Sequence, residues 1–240
     1  MKYQIQEWKE KDMLPLLNND VDMIIFNDTP TCQVEIYNFI SKYYEVCPQD
    51  PLNQIFVSIV HDVKNSKENL QGDIELMWHI DGNYKKRPYN ITGLYCVDID
   101  ERADTMFVDN RIVDMIPEYY DKYKDNVVKV AVKKFVEDDR YPYKLSQREK
   151  RMFRLIYSSS KHRLFQEDKR GKYIYYCNGN NVIQEPEYID SILYDESRIY
   201  SHEWKPKQLV LYNNITTNHK RKANRSKKRH MWKVCAWNLS

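Results

Sequence analysis

Apolar and polar residues alternate over much of the chain, and helical spacing interrupts that alternation only a few times. Gln33–Val46 (QVEIYNFISKYYEV) places Val34, Ile36, Tyr37, Ile40 and Tyr44 at three- and four-residue intervals, which predicts an amphipathic helix. Gln54–Val63 (QIFVSIVHDV) is rich in β-branched residues and predicts a strand. Asp73–His79, Ile91–Ile99 and Thr105–Asp109 are short apolar or alternating runs, also strand-like. Ile112–Lys124 predicts a helix whose main part starts at Pro117, because a proline fits the first turn, where its missing N–H is not needed. Val127–Val136 alternates over part of its length, as a half-buried strand does. Arg154–Ser160 and Lys172–Cys177 predict further strands, Glu187–Ser197 a helix, and Gln208–Tyr212 and Met231–Trp237 two closing strands. Many short strands with a few inserted helices predict a mostly β fold, a double-stranded β-helix or jelly roll. A doubly wound α/β sheet is the weaker alternative, since no Gly-rich βα turn is present.

Composition narrows this picture. The chain has 240 residues, 42% of them hydrophobic and 13% aromatic, enough for one large β domain or two small ones. We expect a single domain over 1–240, with an N-terminal extension of about 1–70 packing on a core of about 71–240. Twenty tyrosines against five glycines argue against disorder. The net charge of +3 does not mark a polyanion-binding protein. No apolar run approaches the ~20 residues of a membrane span, and MKYQIQEWKEKD contains no apolar signal core. Cys32, Cys47, Cys96, Cys177 and Cys235 are scattered and odd in number, which predicts a reduced, cytoplasmic compartment and no structural zinc.

The candidate chemistry lies in a split constellation: His79 and Asp81 in Trp78-His79-Ile80-Asp81, then Asn218-His219, then Arg229. Side chains two apart on a strand point to one face, so His79 and Asp81 can reach the same metal. Two imidazoles and one carboxylate are the facial triad of non-haem Fe(II) oxygenases, which leaves one side of the metal open. By itself His-x-Asp is a weak signal, and its surroundings decide its weight.

Those surroundings resemble a known family. WHIDGNYKKRPYNITGLYCVDIDERADTMFVDN is similar to the metal-binding core of the taurine dioxygenase and γ-butyrobetaine hydroxylase group of Fe(II)/2-oxoglutarate-dependent oxygenases. The matching elements are His79 and Asp81, Pro88, Gly93-Leu94-Tyr95, and Ala103 to Asn110. WKPKQLVLYNNITTNHKRKANRSKKRHMWKVCAW is similar to the group's second block through Trp204, Leu209 to Tyr212, Asn213-Asn214, His219, Arg229 and Lys233. The resemblance spans about Asp73 to Trp237 and is weakest between about Leu145 and Arg198. Three departures stand out. Asn213 replaces a frequent Asp, Lys233 replaces a second Arg that sometimes holds an anionic substrate, and Arg102-Ala103-Asp104-Thr105 replaces a Gly-Gly-Asp-Thr turn.

The resemblance implies that His79, Asp81 and His219 hold Fe(II), with 2-oxoglutarate chelating it and O₂ as co-substrate. It implies that Arg229 pairs bidentately with the distal carboxylate of 2-oxoglutarate, while Thr105 donates a second hydrogen bond. Asp81 stands where related halogenases have Gly or Ala, which points to oxygen chemistry. The expected reaction is hydroxylation of a small metabolite such as an amino acid, or demethylation or desaturation by the same route. Lys233, Arg221 and Tyr84 are the candidate substrate contacts.

The other histidines, His61, His162, His202 and His230, are expected to be structural or on the surface, and Asp98, Asp100, Glu101 and Asp104 lack the Gly and terminal Glu of a calcium loop. The basic run Lys220-Arg221-Lys222, Arg225, Lys227-Lys228-Arg229 reads as a solvated loop between the last two strands. Its functional alternative is to steer an anionic substrate or a nucleic-acid backbone. No nucleic-acid motif accompanies it, so a non-catalytic binder of an anionic polymer, or an oxygenase of protein or nucleic acid, is the lesser alternative.

Overall fold

A computed structural model describes residues 1–49, 53–62, 75–100, 104–130, 160–179, 181–222 and 228–239. β1 (Tyr3–Glu7) runs parallel to β2 (Met23–Asn27), in which four consecutive apolar residues are buried. A strand apolar on both faces must be covered on both. Ile24 and Phe26 cluster with Trp8, with Leu16 of α1 (Leu14–Leu17) and with Ile36, Phe39 and Ile40 of α2 (Gln33–Ile40). Met23 and Ile25 face the opposite way, toward Phe107, Tyr212 and Met231.

The helix expected over Gln33–Val46 stops at Ile40. Tyr44–Cys47 forms β3 instead and pairs with the last strand, so a sheet edge in search of a partner overrides helical spacing that carried on by coincidence. Then come β4 (Phe56–Asp62), β5 (Leu76–His79), β6 (Ile91–Ile99), β7 (Asp104–Asp109), α3 (Pro117–Tyr123) and β8 (Val127–Val130). After these the described chain resumes with β9 (Lys161–Arg163), β10 (Phe165–Asp168), β11 (Gly171–Ile174), β12 (Asn181–Val182) and α4 (Pro186–Leu193). It closes with β13 (Tyr200–Glu203), β14 (Leu209–Asn213), β15 (Thr217–Arg221) and β16 (Lys228–Asn238).

The larger sheet has the order β1-β2-β14-β6-β16-β3, with β4 also paired to β16. The smaller one has the order β13-β7-β15-β5. The two enclose Leu94, Cys96, Phe107, Val210, Tyr212 and Met231, and this is the expected jelly roll. β8, β9 and β12, the β10–β11 hairpin, α3 and α4 cover the smaller sheet from outside, burying Trp78, Val108, Tyr119, Tyr175, Ile189 and Leu193. The strand expected over Lys172–Cys177 ends at Ile174, because the backbone of Tyr175 leaves its hairpin partner to bond the Leu164 carbonyl. The expected strands beyond Val130 and over 154–159, and the start of the one at Asp73, lie outside the described residues.

Candidate active site

β5 ends at His79 and the chain turns through Asp81 and Gly82, whose φ of +66° favours glycine. Asn214, just past β14, holds this turn by its backbone. Its Oδ1 accepts from Asp81 N–H at 2.9 Å, and its Nδ2 donates to the carbonyls of Asp81 and Tyr89 at 2.8 and 2.9 Å. β15 pairs with β5 so that His219 lies opposite His79, their ring centroids 4.0 Å apart. One ligand atom from each of His79, Asp81 and His219 falls within 4.8 Å of the others.

The details of this cluster suit a cation. His79 Nδ1 donates to the Met77 carbonyl at 2.7 Å, which assigns the tautomer and leaves the Nε2 lone pair free. Asp81 Oδ1 accepts from Lys233 Nζ at 3.1 Å. Asp81 Oδ2 is buried, 3.6 Å from His219 Nε2, with no hydrogen-bond partner among the described residues. A bare carboxylate oxygen in a protein interior is costly unless a cation meets it. Burial works to raise the Asp81 pKa, but the Lys233 ammonium, by its charge and its hydrogen bond, outweighs it and holds the carboxyl well below its usual range. Burial lowers both histidines, so their imidazoles are neutral. Ionised carboxylate and neutral imidazoles are the protonation states a metal requires.

Deeper in the barrel lies a second cluster. Arg221 is two residues beyond His219 on the same face of β15, is 5% exposed, and is in register with Thr105 on β7. Arg229 comes from the opposite sheet and is 4% exposed. It makes no hydrogen bond or ion pair among the described residues, and its Nε is buried without a partner. Burial first, and then the neighbouring Arg221 guanidinium, push Arg229 down to about 9, so it still carries its charge at neutral pH. Thr105 Oγ1 accepts from Trp204 Nε1 at 2.8 Å, which leaves the threonine proton to be donated elsewhere. Buried cationic charge grouped around Arg221, with the Thr105 hydroxyl opposite it, fits a carboxylate.

A model of the taurine catabolism dioxygenase TauD, TfdA family matches residues 19–235, nearly the whole chain. The chain belongs to that family. It is an Fe(II)- and 2-oxoglutarate-dependent dioxygenase that uses O₂ to hydroxylate a small molecule. Solved structures agree in fold. AAD-2 in complex with Mn(II) and N-oxalylglycine is 18% identical, with 92% of this chain aligned to 85% of that one at a TM-score of 0.70. A taurine dioxygenase from Burkholderia xenovorans is 11% identical over 96% and 84%, at 0.67. PvcB, an Fe, alpha-ketoglutarate dependent oxygenase from an isonitrile synthetic pathway, is 15% identical over 99% and 87%, also at 0.67. A comparison with curated protein sequences found no match.

For this family member the structure brings His79, Asp81 and His219 together, and sets Arg229 and Thr105 around Arg221. It moves other expected residues. Arg221 is not in a solvated loop, because β15 extends through it and turns it inward. Lys220 is paired with Glu75 at 2.9 Å and lies over the Trp78 ring, Lys228 opens β16 and pairs with Asp98, and 223–227 lie outside the described residues. Lys233 faces the site but is engaged by Asp81. Tyr84 sits half-buried in the turn beyond Asp81. His162 shares the Asn83 carbonyl with Ser160, and His230 lies edge-on to Trp232 beside Ser58.

Asn214, Trp204 and Tyr212 act at the site in ways the sequence did not disclose. The Tyr212 hydroxyl lies 3.1 Å from His219 Nε2. Only the family match of Asn213-Asn214 and Trp204 hinted at the first two.

Proposed function

We propose that His79, Asp81 and His219 hold the Fe(II), that Arg229 and Thr105 receive the distal carboxylate of 2-oxoglutarate with Arg221 alongside, and that the substrate is a small metabolite such as an amino acid. The observation that carries this is the convergence of two neutral imidazoles and an ionised carboxylate on one point, with one carboxylate oxygen left bare. The iron and its co-substrate supply the oxidising chemistry. The protein's residues do the positioning. Met77 fixes the His79 tautomer, Asn214 fixes the backbone carrying Asp81, Trp204 turns the Thr105 proton away from itself, and Arg229 supplies the fixed charge. The setting we propose is a reduced, cytoplasmic one, since the five cysteines are scattered and odd in number. Among the described residues no helix is long and apolar enough to cross a membrane.

A nucleic-acid substrate is the weaker reading. Much of the basic run that would recruit it is already engaged: Lys220 with Glu75, Lys228 with Asp98, and Arg221 buried. Anaerobic addition of Fe(II) and then 2-oxoglutarate tests the ligand assignment, since the chelate gives a weak visible charge-transfer band. His79→Ala and His219→Ala should each abolish it, and both variants keeping wild-type iron affinity and colour would refute the triad. Succinate release across panels of amino acids, peptides and oligonucleotides then tests the substrate class.

A further inference from the structure

The two oxygens of Asp81 sit in different surroundings. Oδ1 is hydrogen-bonded to Lys233 Nζ at 3.1 Å, while Oδ2 faces His219 Nε2 at 3.6 Å and carries no hydrogen bond among the described residues. The backbones of both partners are fixed. The Asp81 backbone is tied at both N–H and carbonyl to Asn214. Lys233 lies in the middle of β16, in register with Val57 on β4 and Leu94 on β6, and its carbonyl accepts from Gln49 Nε2 at 2.9 Å. The Lys233 side chain is a quarter exposed and belongs to the wall of the site.

This asymmetry bears on coordination. A triad of three protein donors leaves room for a two-point co-substrate and O₂ only if its carboxylate contributes one oxygen. A carboxylate turning both oxygens to the metal would occupy a position those molecules need. We propose that Lys233 is a positioning residue: by holding Oδ1 it leaves Asp81 a single oxygen for the metal. This rests on Asp81 being a metal ligand. It differs from a substrate-anchoring role, because the charge of Lys233 is directed at the ligand itself.

The test compares wild type, Lys233→Met and Lys233→Arg without substrate and without O₂. Fe(II) affinity is measured by competition with a chromogenic chelator, and 2-oxoglutarate affinity from the visible band. K233M should bind Fe(II) at least as tightly as wild type, yet show a Kd for 2-oxoglutarate raised about 10-fold or more, the range expected when the partner of a metal ligand is lost. K233R, which keeps a charged donor, should recover most of the loss. Should K233M fail to fold by circular dichroism, Lys233→Gln, a neutral donor, takes its place and should give an intermediate Kd. A wild-type Kd for 2-oxoglutarate in K233M, with only the substrate KM raised, would overturn the proposal in favour of substrate anchoring. Loss of Fe(II) binding in K233M would overturn it in favour of a structural prop. A wild-type protein that neither binds Fe(II) nor forms the band would instead remove the ligand assignment beneath it.

Discussion

Arg229 is a charge without a partner among the described residues, 4% exposed and pressed by Arg221. An uncompensated buried cation destabilises a fold, and replacing it with an apolar side chain of similar length removes that cost. The ligand-free protein should therefore melt higher as Arg229→Met than as wild type. The same substitution should cost about 2–5 kcal/mol of 2-oxoglutarate affinity, because it removes one partner of a charged hydrogen-bonded pair. Melting curves with and without Mn(II) and 2-oxoglutarate check both halves. A variant that melts lower, and still gains wild-type stability from the co-substrate, would show that the anion anchor lies elsewhere. Trp204 gives a subtler case. Trp204→Phe takes away the Nε1 donor that orients Thr105, and should weaken 2-oxoglutarate by about 1 kcal/mol while leaving metal affinity alone. Since the indole acts through the hydroxyl, W204F added to Thr105→Val should cost nothing further. Additive losses in the double variant would mean that the indole touches the co-substrate directly.

Strands were legible in the sequence where they bury one face or form a continuous apolar run, and illegible where their residues do chemistry. β6, β7 and β14 appear close to where the alternation places them. β15 does not, because TNHKR uses both faces for polar work. Thr217, His219 and Arg221 turn inward, Asn218 donates outward to the Tyr176 carbonyl, and Lys220 reaches Glu75. Hydropathy has no means of marking such a strand, so its end merged with the basic run and read as loop. The triad residues and Arg229 stood out as candidates because their side chains suit metal and anion chemistry, and the fold brings His79, Asp81 and His219 together. Asn214 did not stand out, since it bonds only backbone groups, those of Asp81 and Tyr89, 133 and 125 positions away. Where β6 crosses β14 and β16, Gly93 shows how tightly these strands pack. A Cβ there would lie 2.5 Å from Leu211 Cδ2 and 2.7 Å from Val234 Cγ1. Gly93→Ala should therefore lower unfolding free energy by about 1–3 kcal/mol, the usual cost of overpacking, seen as a lower urea midpoint at constant slope. An unchanged midpoint would mean that β6 and β14 can separate without loss.

The net charge of +3 says little about this molecule, because its charges are arranged in a few dense groups. Asp22, Asp109 and Asp168 meet Arg111, and Asp22 also takes Arg170, joining β2, β7 and the β10–β11 hairpin. Neutral imidazoles line the barrel: half-buried His79 and buried His219 at the site, and His202 on β13, 4% exposed. Burial is the main cause that pushes His202 down from 6.5 to about 4, against a hydrogen bond to Gln208 and the Asp104 charge. Between those two values the unfolded chain binds a proton that the folded one refuses, so the stability due to this group is complete above about 6.5 and is lost as pH falls toward 4. The slope for one such group is at most about 1.4 kcal/mol per pH unit. In the ligand-free protein His79 and His219 act in the same direction. Asp109, raised by burial and then by Asp22, acts in the opposite one. Comparison with His202→Phe separates the single contribution from this sum, since the other groups are common to both proteins. Wild type should lose melting temperature steadily from pH 7 to pH 4.5, and His202→Phe should lose less over the same interval. Parallel curves for the two proteins would show that His202 is not what makes the folded barrel sensitive to acid.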